Sequence, residues 1–129
     1  VYRNEGGLYT PLTNKISFII ETEELKIISK ENYEIELFKD FSVQSGLLST
    51  IKTNNRIVNV LSGIFSDENN YDNCILINEK KNIVETNNAN IFLVFGNKVM
   101  TPPLTDGCIN GIVRLKLLEF FKNNKDFEF

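Results

Sequence analysis

Residues 74 to 104 most constrain the fold, because apolar runs too short for amphipathic helices alternate there with tight polar breaks. CILIN, NIVE, NIFLVF and KVMTPPL follow one another, with EKKN and FGNK at the turning points. This spacing predicts strands over 74–78, 82–85, 90–95 and 98–104, and Gly96-Asn97 suits a tight hairpin turn. Earlier segments repeat the pattern less regularly. VYRNEGGLYTP reads as a short strand at Val1-Tyr2, broken by Gly6-Gly7 and turning into Pro11. A strand is expected over Ile16–Ile20, a second apolar patch over Leu25–Ile28, and a further strand in YEIELFKDF.

Two segments carry helical spacing instead. RIVNVLSGIF, from Arg56 to Phe65, places Ile57, Val60, Leu61 and Ile64 on one face, with Asn54 or Asn55 as its cap. TDGCINGIVRLKLLEFFKNN passes two glycines and enters a helix from about Ile112 to Phe121. SVQSGLLSTIKTNN and SDENNYDN read as loops, and no repeat is present. The class expected is α+β, mostly antiparallel strands with two or three helices.

Composition narrows the chemistry. At 129 residues the chain can build one modest core, burying about two thirds of its unfolded surface. Apolar content of 42% and ten Phe suit a globular domain. A net charge of −3 without a Lys/Arg cluster argues against nucleic acid. No apolar run approaches the roughly 20 residues needed to span a bilayer, and the first residues do not read as a signal peptide. Cys74 and Cys108 lack CxxC spacing and read as reduced thiols of a cytoplasmic protein. The absence of His excludes Ser-His-Asp catalysis and most zinc sites. Lys, Asp, Glu or Tyr must therefore move any protons. Starting inside a strand without Met and stopping at Phe129 after a helix, the chain reads as a piece of a longer protein.

Glu85 is the residue that pattern alone leaves unexplained. It ends one apolar run, and after TNNAN the chain re-enters a core at Ile91-Phe92. A surface turn accounts for the asparagines but not for a carboxylate there.

Lys52 in STIKTNNR, Glu85 in IVETNNANIF, and INGIVR after TPPL, in this order, resemble the class IV aminotransferase family. These are the fold type IV enzymes that use pyridoxal phosphate (PLP). The resemblance covers roughly residues 49 to 118. It implies that residues 1–129 are the central part of the large, C-terminal domain, without the small N-terminal domain and the C-terminal end. By that resemblance Lys52 is the Schiff-base lysine and the base that takes a proton from the substrate carbon beside nitrogen. Burial and the cofactor are then expected to lower its pKa. Glu85 takes the place of the carboxylate facing the pyridine nitrogen, which answers the question its position raised. Gly111, Ile112 and Val113 form the phosphate loop at a helix start. Relatives often carry Thr where Val113 stands, so a hydroxyl contact is missing here. Ile109 matches the aliphatic residue on the ring face, Asn90 holds the turn, and Arg114 is expected in a structural ion pair.

Within the family, Arg56 after Asn55 and the INGIVR loop lean toward 4-amino-4-deoxychorismate lyase, which releases pyruvate and forms 4-aminobenzoate. Branched-chain or D-amino-acid aminotransferase is the alternative. By the resemblance, the arginine that takes a substrate carboxylate in lyases and D-amino-acid aminotransferases would fall near Leu8 or Tyr9, but none stands there and Arg3 is the nearest. A non-catalytic fragment or homologue is a third reading. The resemblance further implies a small amino substrate and a homodimer when the protein is full length.

Overall fold

The computed structural model of the chain describes residues 1–4, 6–26 and 29–128. It falls into two compact units, Val1–Lys30 and Glu31–Phe129. In the first, β1 (Tyr2–Arg3) pairs antiparallel with β2 (Ile16–Ser17). Gly6 and Gly7 adopt φ of 104° and 69°, and the Arg3 guanidinium donates to the Gly7 and Leu8 carbonyls at 2.8 Å. The strand expected over Ile16–Ile20 stops at Ser17, and Ile19 and Ile20 are exposed. Ile27 and Ile28 of the expected apolar patch lie outside the described residues.

The second unit is built on a three-stranded sheet in the order β3-β4-β5, from Ile35–Leu37, Asn73–Ile77 and Ile83–Thr86. β3 and β4 are parallel, and a parallel pair needs a crossover. That crossover carries α1 (Ile57–Glu68). β4 and β5 form the antiparallel hairpin expected at EKKN, with a register shift between Leu76 and Ile77, beside Glu85. Asn78, fully buried, organises its turn by accepting the Lys80 and Asn82 N–H groups at 2.9 and 3.0 Å. β6 (Leu93–Phe95) and β7 (Lys98–Met100) form the Gly-Asn hairpin.

Both of these last strands are shorter than expected, for visible reasons. Ahead of β6 the Asn90 side chain donates to the Ile109 carbonyl, and the Ile91 backbone carbonyl is already engaged by the Thr101 hydroxyl at 2.7 Å. After Met100 the chain meets Pro102 and Pro103, which have no N–H to donate, and it turns into a short 3-10 helix over Leu104–Asp106. α2 then runs over Ile112–Asn123.

Phe38, Val43, Cys74, Leu76, Val84 and Cys108 form the buried core, with Val58, Leu61, Phe65 and Leu104 packed against it. α1 therefore presents a different face from the one expected. Of Ile57, Val60, Leu61 and Ile64, only Leu61 turns inward, while the fully buried positions of the helix are Ser62 and Ser66. The two serines are tolerated because each hydroxyl donates to a helix carbonyl, Ser62 to Asn59 and Ser66 to Ser62. Nor does Asn54 or Asn55 cap this helix. Arg56 is the N-cap residue, and no side chain closes the first turn.

This orientation predicts contrasting costs. Leu76→Ala should lose about 2–5 kcal/mol of unfolding free energy, whereas Ile64→Ala, on the half-exposed side of α1, should stay within about 0.5 kcal/mol. Denaturant midpoints of the two variants check this, and equal losses would place α1 wrongly.

Candidate functional site

All seven residues expected at the site line one cleft of about 800 Å³ in the second unit: Lys52, Glu85, Asn90, Ile109, Gly111, Ile112 and Val113. Three chain segments build it. The first is the loop before α1, which carries Lys52. A backbone bond from the Asn110 N–H to the Thr50 carbonyl (3.0 Å) ties this loop to the segment leading into α2. Further back, the Ser45 N–H and hydroxyl donate to the Glu79 carboxylate, and those bonds hold Glu79 down at a pKa of about 2. Lys52 itself is exposed rather than buried, and it makes no hydrogen bond or ion pair among the described residues.

The second segment is β5 with the turn after it. β5 gives Val84 to the core and Glu85 to the cleft. Glu85 is only 3% exposed, yet both of its oxygens are engaged. Oε1 accepts from Arg56 at 2.9 Å, and Oε2 accepts from the Ile109 N–H at 2.8 Å. A carboxylate offers about four acceptor positions, so acceptor capacity remains toward the cleft. Burial pushes the Glu85 pKa above its usual 4.5, and the Ile109 N–H, Arg56 and Lys52 oppose that rise.

The turn TNNAN is held from two sides. The Asn59 amide donates to the Asn87 carbonyl at 2.6 Å, and the Ser62 hydroxyl donates to Asn87 Oδ1 at 3.2 Å. Buried Asn73 accepts the Asn87 N–H and donates to Asn88 Oδ1 at 2.9 Å.

The third segment is the start of α2. Asn90 donates to the Ile109 carbonyl at 2.8 Å, so it holds the loop. A Cβ at Gly111 would run into the Asn90 side-chain oxygen, so a larger residue there would displace the Asn90 side chain. The first i→i−4 bond of α2 is Leu115 N–H to the Gly111 carbonyl. The N–H groups of Ile112, Val113 and Arg114 therefore have no partner within the helix, and no side chain caps them. Ile112 and Val113 are 78% and 72% exposed, so this helix end can receive an anion from the cleft.

Arg114 corrects an expectation. Instead of an ion pair it makes a 3.0 Å hydrogen bond to the Pro102 carbonyl, and its buried Nε has no partner among the described residues. Cys108 is buried beneath the loop, with its thiol pushed up by desolvation. No cluster of His, Cys, Asp or Glu among the described residues could hold a metal ion. Sequence reasoning missed the contact of Arg56 with Glu85 and the asparagine network under the turn. Arg56 and Asn59, one turn apart at the start of a helix, were the available signal for both.

The cleft can thus offer an amine, a buried carboxylate and an anion-binding helix end, one from each of its three segments. Because burial raises the pKa of Glu85, the native state binds its proton more tightly than the unfolded chain does. That contribution is fully present below about pH 4.5 and is lost as pH rises through the folded pKa. Thermal unfolding should therefore show Glu85→Gln gaining on the parent as pH rises from about 4.5 to 7, the region where only the parent is penalised.

Comparison with known proteins identifies the family and its fold. The sequence pattern of the family described as Amino-transferase class IV matches residues 1–127. The chain is 35% identical over 77 residues to an aminodeoxychorismate lyase of Vibrio harveyi, covering 60% of this chain and 28% of that protein. It is 36% identical over 119 residues to branched-chain-amino-acid aminotransferase-like protein 1 of Arabidopsis thaliana, covering 92% of this chain and 17% of that protein. A Legionella pneumophila structure, provisionally named 4-amino-4-deoxychorismate lyase, superposes with a TM-score of 0.70 at 22% identity, over 79% of this chain and 38% of that one. A Brucella abortus aminotransferase bound to PLP superposes with a TM-score of 0.62 at 20% identity, over 78% and 36%. The chain therefore spans well under half the length of each of these relatives, and it belongs to the class IV aminotransferase family.

Proposed function

We propose that this chain is the cofactor-binding part of a PLP-dependent enzyme, and that the enzyme is a 4-amino-4-deoxychorismate lyase. One observation carries the reading. Lys52, Glu85 and the uncapped start of α2, far apart in sequence, share one cleft of about 800 Å³. That volume suits a small-molecule site. The donor set also fits PLP, with a phosphate at the helix end and a ring nitrogen against a buried carboxylate.

The N–H groups of Ile112 and Val113 would hold the phosphate, and Ile109 would cover one face of the ring. Bound PLP supplies an electron sink for charge developing on the substrate carbon beside nitrogen. Glu85 keeps a proton on the pyridine nitrogen. Lys52 Nζ, without a hydrogen-bond partner among the described residues, takes the proton from that substrate carbon. In the lyase reaction the same lysine is placed to return a proton to the departing enolpyruvyl unit, which leaves as pyruvate.

Arg56 and the INGIVR loop favour the lyase branch. The likeness to the Arabidopsis branched-chain-aminotransferase-like proteins keeps a transaminase as the second reading. We place residues 1–129 within the large domain of a longer cytoplasmic chain. The exposed Ile57, Val60 and Ile64 of α1 support a homodimer of that chain.

Reduction of the PLP-treated whole protein with borohydride should leave a pyridoxyl mass on the peptide carrying Lys52. A folded protein without that label would contradict the reading. Lys52→Ala should lose the label and the turnover of aminodeoxychorismate. Glu85→Gln should keep the label and slow turnover by roughly a hundredfold, the size expected for one preorganised electrostatic contact. Faster turnover of branched-chain or D-amino acids than of aminodeoxychorismate would select the transaminase.

A further inference from the structure

Arg56 opens α1 at the position where a helix ordinarily carries a capping side chain, yet its own side chain caps nothing. The guanidinium instead reaches Glu85 Oε1 at 2.9 Å, with 22% of the arginine side chain exposed and 4% of the glutamate's. The Ile109 N–H takes the other oxygen at 2.8 Å. These bonds come from two elements that approach Glu85 from different directions, the start of α1 and the loop before α2. Two fixed donors on the two oxygens leave a carboxylate no freedom to rotate. We infer that Arg56 is the positioning residue of Glu85: with the Ile109 N–H it locks the carboxylate's orientation within the cleft wall and sets a cation against it.

The inference rests on the reading that Glu85 serves the ring nitrogen of PLP. Other charges around Glu85 do not duplicate the role. Lys52 acts on it through space without a hydrogen bond, and the Cys108 thiol is itself raised by burial and by the Glu85 charge. Arg56 is the only cation hydrogen-bonded to this carboxylate among the described residues. Without it, less would oppose the burial that already raises the Glu85 pKa, and Glu85 would take up a proton at a still higher pH. A protonated acid cannot accept from a pyridinium as a carboxylate does.

The test uses the whole protein, first without cofactor. Carbon-13 carboxyl NMR, with Glu85→Gln identifying the resonance, follows the Glu85 titration in the parent and its variants. Arg56→Met should raise the midpoint by about one pH unit or more, and Arg56→Lys should restore much of the shift. PLP affinity at neutral pH should fall roughly tenfold in Arg56→Met and much less when Glu85 is already Gln, as a coupled pair requires. If Arg56→Met fails to fold, Arg56→Gln carries the same expectations with one donor retained and no charge. An unmoved midpoint, in a parent protein that takes a pyridoxyl label on Lys52, overturns the inference and leaves the cofactor reading standing. A parent without the label overturns both, because a moved midpoint would then report only a structural ion pair.

Discussion

A carboxyl group at 3% exposure is tolerated only if its surroundings replace the water it has lost, and Glu85 shows how this chain does so. Its two oxygens are bonded by the first residue of the α1 turn and by the peptide leading into α2. That one side chain therefore joins β5, α1 and the α2 loop, which are the three walls of the cleft. Take the carboxylate away and Arg56 and the Ile109 N–H each lose a partner in a half-buried place. The position cannot be read as a strand-end residue in water.

The rest of the site follows from the same arrangement. The β4–β5 hairpin fixes Glu85, its register shift lies beside that residue, and the asparagine turn beyond it is fastened to α1 and β4. Asn90 and Gly111 touch, so the uncapped helix end of α2 stands a short way from the carboxylate. The Asn110–Thr50 backbone bond then brings the lysine loop to the same mouth. Hydrogen-bonded segments thus hold the carboxylate and the anion end, while Lys52 is exposed and has no partner among the described residues.

Much of this was legible in the sequence where local rules decide. The hairpins at EKKN and FGNK and the start of α2 at Ile112 stand where turn chemistry and spacing place them. The order of Lys52, Glu85 and NGIVR was enough to anticipate that these residues line one cleft. What was not legible depended on tertiary contacts. The inward face of α1 carries Ser62 and Ser66, whose hydroxyls bond back to the helix, so apolar periodicity selected the wrong stripe. Asn54 and Asn55 looked like caps, but the helix begins at Arg56, whose side chain is drawn to a residue 29 positions away. The expected burial of Lys52 and the ion pair of Arg114 likewise depended on neighbours that no spacing reveals.

We propose that the cleft of this class IV aminotransferase chain seats PLP between Glu85 and the start of α2. A crystal structure of the whole protein grown with PLP decides this. The ring nitrogen is expected in hydrogen-bond contact with Glu85, the phosphate on the N–H groups of Ile112 and Val113, and Lys52 Nζ bonded to the cofactor. PLP bound elsewhere, or seated here with its ring nitrogen turned away from Glu85, would contradict it.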